Sequence, residues 1–355
     1  MKRTIWDTGC RRLRAVLLLL SLTLSLTGCA DSGGTPVERQ FYAMDTVMNL
    51  TVYGVRAEDA VKAAMNRIEE IEALSSAYLP NSDVAKINAA AGTSSVAVSP
   101  EVLKMIQTAV QYGKLTDGAF DITVGPLISL WGIGTDHENV PSQAEIDRAL
   151  ALVGSDKIQI NEAKRTVMLP QSGMSIDLGG IAKGFAADEI LRIFRQYDIR
   201  SALINLGSSS IYALGKKPDG SPWTVAIRHP REENEYLCVV QLADQALSTS
   251  GDYERYFIRD GKRYHHIFDP ATGTPADAGI MSSTVVIGGK ESDCCMLADI
   301  LTKAAFVSGV KRGFAVLDGL AGVSCMAAGS GFRLYRSGSW DLKLSSLSPD
   351  FSLGQ

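Results

Sequence analysis

The stretch Ser175-Ile-Asp-Leu-Gly-Gly-Ile-Ala-Lys-Gly-Phe-Ala-Ala-Asp188 places two glycines directly before a predicted helix over residues 181–197. Backbone N–H groups at Gly179 and Gly180 can approach phosphate oxygens at the positive end of the helix dipole. Lys183 lies in the first turn, where a cation is unfavourable unless it meets an anion. The pattern therefore favours a phosphate ligand, although it is neither a Walker loop nor GxGxxG. A glycine turn that packs helix on strand is the alternative.

Helix and strand signals alternate irregularly on both sides of this stretch. Apolar residues share one face of a predicted helix over residues 57–74, and capping signals open further helices at Ser99 and Ser142. A hairpin is predicted over residues 158–169. The second half is richer in strands, and tight polar turns such as residues 217–220 favour antiparallel pairing. We therefore predict the α+β class, with mainly antiparallel sheets and packed helices, and not a doubly wound parallel sheet.

A second irregular segment reads Thr116-Asp-Gly-Ala-Phe-Asp-Ile-Thr-Val-Gly-Pro-Leu127. Asp117 and Gly118 are an ordinary turn signal. A second acid at Asp121, followed by Gly125 and Pro126, indicates a backbone held irregularly against a ligand. A structured turn that leads into a buried strand is the alternative.

A third segment begins with Ser248-Thr-Ser-Gly-Asp-Tyr-Glu-Arg-Tyr256 and continues at Arg263-Tyr-His-His-Ile-Phe-Asp-Pro-Ala-Thr-Gly273. It contains two of the four histidines of the chain. On a strand, the side chains of His265 and His266 point to opposite faces. One of them can therefore face a site while the other faces solvent. A structural role for the pair is the alternative.

A fourth segment, Asp293-Cys-Cys-Met-Leu-Ala-Asp-Ile-Leu-Thr-Lys-Ala-Ala-Phe306, places an acid inside an apolar helix. Burial of Asp299 is costly unless the carboxylate is paired, hydrogen-bonded or bound to a metal. Thr302 and Lys303 follow at i+3 and i+4, on the same helix face. Mg²⁺ prefers hard oxygen ligands, so Asp299, the Thr302 hydroxyl and a backbone carbonyl predict a magnesium site. An Asp299–Lys303 ion pair is the alternative.

The N-terminus has the pattern of an exported lipoprotein. Basic residues between Lys2 and Arg14 precede an uncharged apolar run over residues 15–26 that is short for a membrane-spanning helix. Leu26-Thr-Gly-Cys29 resembles a lipobox, so we expect cleavage before Cys29, lipid on its sulfur and a location on the extracytoplasmic side of the cell membrane. A plain secretory signal or a short anchor is the alternative. The predicted divisions are a signal peptide 1–28, a flexible tether 29–40, a folded domain 41–345 and a C-terminal tail 346–355.

Composition excludes several other classes of protein. A net charge of −4 without a basic stripe argues against nucleic-acid binding, and the apolar and charged fractions of 46% and 21% are typical of globular proteins. The four cysteines after Cys29 are too scattered for a disulfide framework and lack zinc spacing. We expect buried thiols, and pairing of one adjacent cysteine with a distant one stays open; the four are Cys238, Cys294, Cys295 and Cys325.

Taken in order, these segments resemble the FAD:protein FMN transferase family, the ApbE family of flavin transferases. The likeness runs from about Met44 to Asp318 and includes Met44-Asp-Thr46, Ser75 to Tyr78, Asn205-Leu-Gly207 and Lys217-Pro-Asp-Gly-Ser-Pro-Trp223. The resemblance implies one two-lobed domain related to the T-fold. It also implies an enzyme that binds FAD and Mg²⁺, cuts the pyrophosphate, transfers FMN to a Thr or Ser hydroxyl of a target protein and releases AMP.

The resemblance further implies roles for particular residues. His266 is expected to deprotonate the acceptor or stabilise the reacting phosphate, with Asp299 as the second catalytic residue. The metal position is implied for the Gly180 carbonyl, Asp299, the Thr302 region and the position of Lys303. The residues expected to contact FAD are Met44, Tyr78, Ala119, Phe120, Asp121, Asp177, Lys183 and Ile267.

Two departures from the family pattern stand out. Lys303 occupies the position where the family helix usually has threonine, and Ser208 stands where a second glycine is usual. Two alternative functions remain open: an FAD pyrophosphatase that yields FMN and AMP, and a flavin-binding lipoprotein in which Lys303 has disabled the metal site. The expected partners are FAD, an acceptor flavoprotein of a membrane redox complex or an exported reductase, and the membrane through the lipid anchor.

Overall fold

The computed structural model describes residues 34–288 and 293–354, and a nine-stranded sheet runs through their middle. In chain order the strands are β1 (Val37–Ala43), β2 (Thr46–Tyr53), β3 (Val96–Ala97), β4 (Gln159–Asn161), β5 (Thr166–Met168), β6 (Ser201–Leu206), β7 (Ser210–Leu214), β8 (Trp223–Arg228), β9 (Tyr236–Leu242), β10 (Gln245–Gly251), β11 (Tyr256–Arg259), β12 (Lys262–His265), β13 (Phe268–Asp269), β14 (Thr274–Pro275), β15 (Ile280–Gly288), β16 (Val323–Gly329), β17 (Arg333–Arg336), β18 (Leu344–Ser345) and β19 (Ser352–Leu353).

The large sheet has the order β1-β2-β6-β7-β10-β15-β16-β17-β19. Its neighbouring strands are antiparallel, except that β17 and β19 are parallel. The other strands form the small sheets β18-β9-β8 and β3-β5-β4 and the pairs β11-β12 and β13-β14. The helices are α1 (Ala57–Ser75), α2 (Asp83–Ala89), α3 (Pro100–Leu115), α4 (Gly125–Trp131), α5 (Gln143–Leu150), α6 (Ala182–Gln196) and α7 (Cys294–Leu317).

Both faces of the large sheet are covered in its middle. Val285 and Ile287 of β15 belong to the main core with α1, α3, α6 and α7, whereas Met281 and Val286 belong to a second core with β8 and β9. Successive side chains of a strand point to opposite faces. Every side chain of β7 and β16 is therefore buried, which hides the period-2 alternation in those strands.

The predicted helix starts agree with the structure. The Ser99 side chain accepts a hydrogen bond from the backbone N–H of Val102 at the start of α3. Ser142 and Glu145 form the predicted capping box of α5. The predicted apolar helix that contains Asp299 is α7, which continues to Leu317 and is broken at Gly309 by a φ of 74°. The predicted α+β class is confirmed.

Three regions differ from the sequence interpretation. Residues after Val124 form the short helix α4 and not a buried strand; it ends at Gly132, which adopts a left-handed conformation. The predicted tether 29–40 is shorter, because Val37 to Gln40 pair with β2. The predicted tail 346–355 packs on the domain, because Phe351 is buried in the second core and β19 pairs with β17.

The contact between α6 and α7 is unusually close. A Cβ on Gly184 would lie 2.4 Å from the carbonyl oxygen of Cys295. Each helix also holds the first turn of the other, because Asp188 of α6 accepts hydrogen bonds from the N–H groups of Cys295 and Met296. In return, Asp299 of α7 accepts one from the N–H of Gly184. Both carboxylates thus satisfy N–H groups that have no partner within their helix.

A chain of ion pairs ties four helices together. Arg67 of α1 contacts Glu101 of α3 and Glu189 of α6 at 2.7 and 2.8 Å. Lys104 of α3 and Arg192 of α6 meet at Asp293, directly before α7.

Within the described residues, the structure contains no helix with the length and hydropathy needed to cross a bilayer.

We predict that Gly184→Ala lowers the free energy of unfolding by roughly 3 kcal/mol, because the added methyl group meets backbone atoms that cannot move aside. Urea unfolding followed by circular dichroism measures this change. Gly331→Ala is the matched control, since a Cβ there meets no atom within 4 Å. Equal unfolding midpoints for the two variants would contradict the proposed close contact.

Candidate active site

Three of the segments selected from the sequence meet at Gly180. The N–H of Asp177 donates to the carbonyl of Ile122 at 2.8 Å, which joins the segment before α6 to the irregular segment before α4. A Cβ on Gly180 would lie 3.2 Å from the Phe120 ring and 3.2 Å from Cδ of Lys303 on α7. A larger residue would therefore displace one of these neighbours. The close approach of three segments therefore explains why residue 180 is a glycine.

Asp299 is fully buried beneath this point, with 0% of its surface exposed. Its Oδ2 accepts from the N–H of Gly184 at 3.1 Å, and its Oδ1 lies 2.5 Å from Nζ of Lys303. The same Nζ also donates to the backbone carbonyl of Asp299 at 2.9 Å. The hydroxyl of Ser248 on β10 lies 3.5 Å from Oδ1. The ion pair at i and i+4, which the sequence left open as an alternative, is present.

Lys183 lies between charges of both signs. Burial lowers its pKa, the carboxylates of Asp299 and Asp177 oppose that shift, and the positive charges of Lys303 and Arg255 add to it. These five residues form what we call the charged cluster. Three cations and two carboxylates leave it with one net positive charge when all are ionised.

Asp177 is the second acid of the charged cluster. Its Oδ1 accepts from the N–H of Gly179 at 2.7 Å and thereby shapes the turn before α6. Burial raises its pKa, and the Gly179 N–H and the cations Lys183 and Arg255 counteract that effect. Asp177 and Lys183 thus lie beside the glycine pair, and their contact with FAD stays a prediction.

Arg255 was not singled out from the sequence, although it lies in the polar segment between β10 and β11. Its Nη2 donates to Asp45 at 2.6 Å, in the turn between β1 and β2. Its carbonyl accepts from the backbone N–H of His266 at 3.1 Å. The arginine therefore connects two loops that are far apart in the chain. Its position in a polar turn was the one available sequence signal.

The two histidines have different surroundings, although β12 ends at His265 and His266 lies in the bend that follows it. His265 is buried: its Nε2 lies 3.0 Å from the carbonyl of Ala276, and its Nδ1 accepts from the N–H of Ile267. It is a structural residue and does not face solvent. His266 is half-buried, and its Nδ1 lies 3.3 Å from the carbonyl of Arg255. Burial and then the charge of Arg255 lower the pKa of His266 to about 3. His266 is therefore neutral at neutral pH.

The turn between β1 and β2 forms one edge of the site. Met44 and Asp45 both have positive φ values, 48° and 59°, which non-glycine residues rarely adopt. Such strain clusters at functional sites. Tyr78 lies near this turn with 77% of its surface exposed. Its pKa is raised, by partial burial of the hydroxyl and by the carboxylate of Asp177. An exposed aromatic ring at this edge can cover a flat apolar ligand.

Two predicted site residues, Asp121 and Ile267, have other contacts in the structure. The Asp121 carboxylate accepts from Thr123 and from the N–H of Ser155, so its side chain fastens a loop. The backbone N–H of Ile267 donates to His265, and its carbonyl accepts from Ala276.

The Thr302 hydroxyl donates to the carbonyl of Ser283 on β15 at 2.8 Å. It therefore joins α7 to the sheet, and its role as a metal ligand stays a prediction. Ala119 is half-buried in the turn before Phe120 and packs against the main core. Ser208, which departs from the family pattern, has a φ of 58° that suits the glycine usual there. Cys29 lies outside the described residues.

The cysteines follow the prediction of buried thiols. All four are unpaired and buried. Asp188, Cys294 and Cys295 lie close enough to share an ion. However, the Asp188 carboxylate already caps α7. Burial raises its pKa to about 6, and the hydrogen bonds from the N–H groups of Met296 and Cys295 partly oppose that rise. Burial also raises the pKa of the Cys295 thiol, so that residue is protonated and a poor metal ligand.

Known proteins resemble this chain in sequence and in fold. A Klebsiella pneumoniae protein named FAD:protein FMN transferase is 37% identical over 287 residues, which cover 80% of this chain and 83% of that relative. A Treponema pallidum protein of the same name is 33% identical and covers 86% and 89%. The crystal structure of the ApbE protein from Thermotoga maritima aligns with a TM-score of 0.77 at 32% identity, over 86% of this chain and 97% of that one.

The family model described as the ApbE family matches residues 44–327. The matched range contains the glycine pair, the histidine pair and the buried Asp299 with Lys303. The resemblance seen in the separate motifs is thus confirmed across most of the chain, which belongs to the ApbE family.

Proposed function

We propose that this protein transfers FMN from FAD to a Thr or Ser hydroxyl of a target protein and releases AMP. The observation that carries the proposal is the charged cluster beside Gly179 and Gly180, at the N-terminus of α6. A pyrophosphate is the anion that a cluster with several cations and a helix N-terminus suits. The names of the curated relatives, FAD:protein FMN transferase, point to the same substrate.

The reaction requires positioning and neutralised charge more than covalent help from the protein. The acceptor oxygen forms a bond to the FMN phosphorus, and the bond from that phosphorus to the bridging oxygen breaks. AMP leaves with the bridging oxygen and its electron pair. Lys183, Lys303 and Arg255 face the negative charge that moves onto the leaving phosphate.

We assign to His266 the role of taking the acceptor proton. It is neutral in the free protein, so its ring can receive a proton from a Thr or Ser hydroxyl. The bound pyrophosphate counteracts the positive charge of Arg255 and so raises the pKa of the imidazole toward its ordinary value. The substrate itself thereby makes the base stronger.

The flavin ring has a place at the edge formed by Tyr78 and Met44. Tyr78 offers an exposed aromatic face, and Met44 is half-buried in the strained turn between β1 and β2. Aromatic and sulfur-containing side chains pack well against a flat conjugated ring. We place the isoalloxazine there and the pyrophosphate at the charged cluster.

Magnesium is the cofactor that the sequence resemblance implies, at Gly180, Asp299, Thr302 and the position of Lys303. The donor set in this structure does not fit a divalent ion. Both oxygens of Asp299 already have partners, one of them an ammonium group, and the Thr302 hydroxyl points to β15. We derive no step of the reaction from a metal.

We further propose that the protein works outside the cytoplasm, held to the membrane by lipid on Cys29. The apolar run before Leu26-Thr-Gly-Cys29 and the basic residues ahead of it support export and lipidation. Stable attachment takes more than one acyl chain, which lipoproteins of this type carry. The acceptor is then a flavoprotein of a membrane redox complex or an exported reductase, within reach of the tether.

The products of the reaction test the proposed function. Incubation of the purified protein with FAD and a membrane redox subunit is expected to give a fluorescent flavin band on a denaturing gel, with AMP in solution. Free FMN with AMP would indicate the pyrophosphatase, and intact bound FAD would indicate a flavin-binding protein. Lys183→Gln is expected to weaken FAD binding by about tenfold or more, since a hydrogen bond to a charged group is lost. Lys86→Gln, which changes an exposed side chain of α2, is the control and should bind FAD normally.

The pH dependence tests the role of His266. A base whose pKa is lowered to about 3 remains deprotonated, and so active, throughout the range above about pH 4. We therefore expect kcat/KM, which reports the free protein, to show no acidic limb from His266 near pH 6.5. His266→Gln should lower kcat by about a hundredfold or more. An acidic limb near pH 6.5 that disappears in His266→Gln would show that the free imidazole is not depressed.

Lipidation is tested by metabolic labelling with radioactive palmitate. The wild-type protein is expected to take up the label and to sediment with membranes. Cys29→Ser should take up none, because the acylated thiol is absent, while Cys238→Ser, which changes a buried thiol, should be labelled normally. A wild-type protein without label would refute the lipid anchor.

A further inference from the structure

We propose that the Lys303 ammonium takes the place of a divalent metal at Asp299, so that this protein binds the pyrophosphate of FAD without Mg²⁺. The inference rests on the proposed function in that it takes FAD as the ligand. It concerns a feature of this chain's own residues, namely a lysine one helical turn after a buried carboxylate.

The ammonium already has the surroundings of a bound cation. Nζ of Lys303 lies 2.5 Å from Oδ1 of Asp299 and 2.9 Å from the Asp299 carbonyl oxygen. A magnesium ion on the same carboxylate oxygen would lie about 2.1 Å from it. Two cations would then share one oxygen within a few ångströms in a site shielded from water, where their repulsion is strong. The lysine and a metal therefore exclude each other.

The remaining ligands for a metal are also occupied. Oδ2 of Asp299 accepts from Gly184, the Thr302 hydroxyl donates to Ser283, and the Ser248 hydroxyl donates to the carbonyl of Ser209 at 2.7 Å. Among the described residues, the metal-like group of acids and thiols is Asp188, Cys294 and Cys295, which does not include Asp299.

The Lys303 side chain contacts the Asp299 carboxylate and also extends to the site at Gly180. Its side chain is 21% exposed, against 1% for Asp299. Its Cδ and Cε pass alongside Gly180, and its charge acts on both Lys183 and His266. An ammonium group has three donors, and two of them point to Asp299. The third can donate to a phosphate oxygen held at the glycine pair.

The positive charge that a metal ion would offer to the pyrophosphate is therefore supplied by several lysine and arginine side chains. Lys303 contributes one charge, and Lys183 and Arg255 contribute two more within the charged cluster. Asp299 is a positioning residue, because it holds the ammonium at the floor of the site. Removal of divalent ions should leave this arrangement intact.

The test measures FAD affinity by fluorescence quenching, once with EDTA and once with excess Mg²⁺. We expect the wild-type affinity to be the same in both. Lys303→Thr should bind FAD about tenfold or more weakly with EDTA, because a charged hydrogen bond is lost, and should recover with Mg²⁺. Manganese binding to the FAD complex, followed by electron paramagnetic resonance, should be absent in the wild type and appear in Lys303→Thr. Lys86→Thr is the matched control and should behave like the wild type.

Wild-type FAD binding that is lost with EDTA and restored by Mg²⁺ would overturn the proposal, as would stoichiometric Mn²⁺ in the wild-type FAD complex. If Lys303→Thr does not fold, Lys303→Gln replaces it; that variant should bind FAD about tenfold more weakly in both conditions, and unchanged affinity would refute the role of the ammonium. Metal-independent FAD binding without flavin transfer in either condition would support the lysine proposal and refute the transferase. The two proposals therefore fail separately.

Discussion

The site depends on the reciprocal contact between α6 and α7. Each helix buries a carboxylate against the first turn of the other: Asp188 meets the start of α7, and Asp299 meets the N–H of Gly184. The absence of a side chain on Gly184 lets the helices approach closely enough for both contacts. Because a buried, unpaired carboxylate is costly, this geometry also fixes where Asp299 needs a cation. The position of Lys303 follows from that requirement.

The same contact explains why cations lie close together and repel each other in the free site. Lys183, Lys303 and Arg255 are held near each other by elements that the core fixes, with two carboxylates to offset them. The lowered pKa values of Lys183 and His266 and the raised pKa of Asp177 are the signs of that burial. In the proposed function, the pyrophosphate of FAD relieves the repulsion among these cations and completes the charge balance of the site.

The position of Lys303 also differs from what is expected of an enzyme that holds magnesium at Asp299. A lysine ammonium and a magnesium ion can occupy equivalent places beside a carboxylate, but they differ in charge and in the ligands they need. Lys303 satisfies Asp299 with hydrogen bonds from within one helix. A metal would need oxygen ligands from several elements, and Thr302 has been turned toward β15 instead. One residue thus decides which kind of cation the fold holds.

The sequence by itself determined the elements with strong local signals and the four segments that carry the chemistry. These features depend on residues that are neighbours in the chain, so the sequence is enough to predict them. They are the helix caps at Ser99 and Ser142, the glycine pair before α6 and the acid inside the apolar α7. Only the tertiary structure decided the course of the chain after Val124, the place of Arg255 and the direction of the Thr302 hydroxyl. These depend on contacts between residues far apart in the chain, such as Arg255 with Asp45 and Thr302 with Ser283. A local pattern places Lys303 one turn after Asp299, but only the packing of α7 against Gly180 and Gly184 buries that carboxylate and so makes the ammonium part of the site.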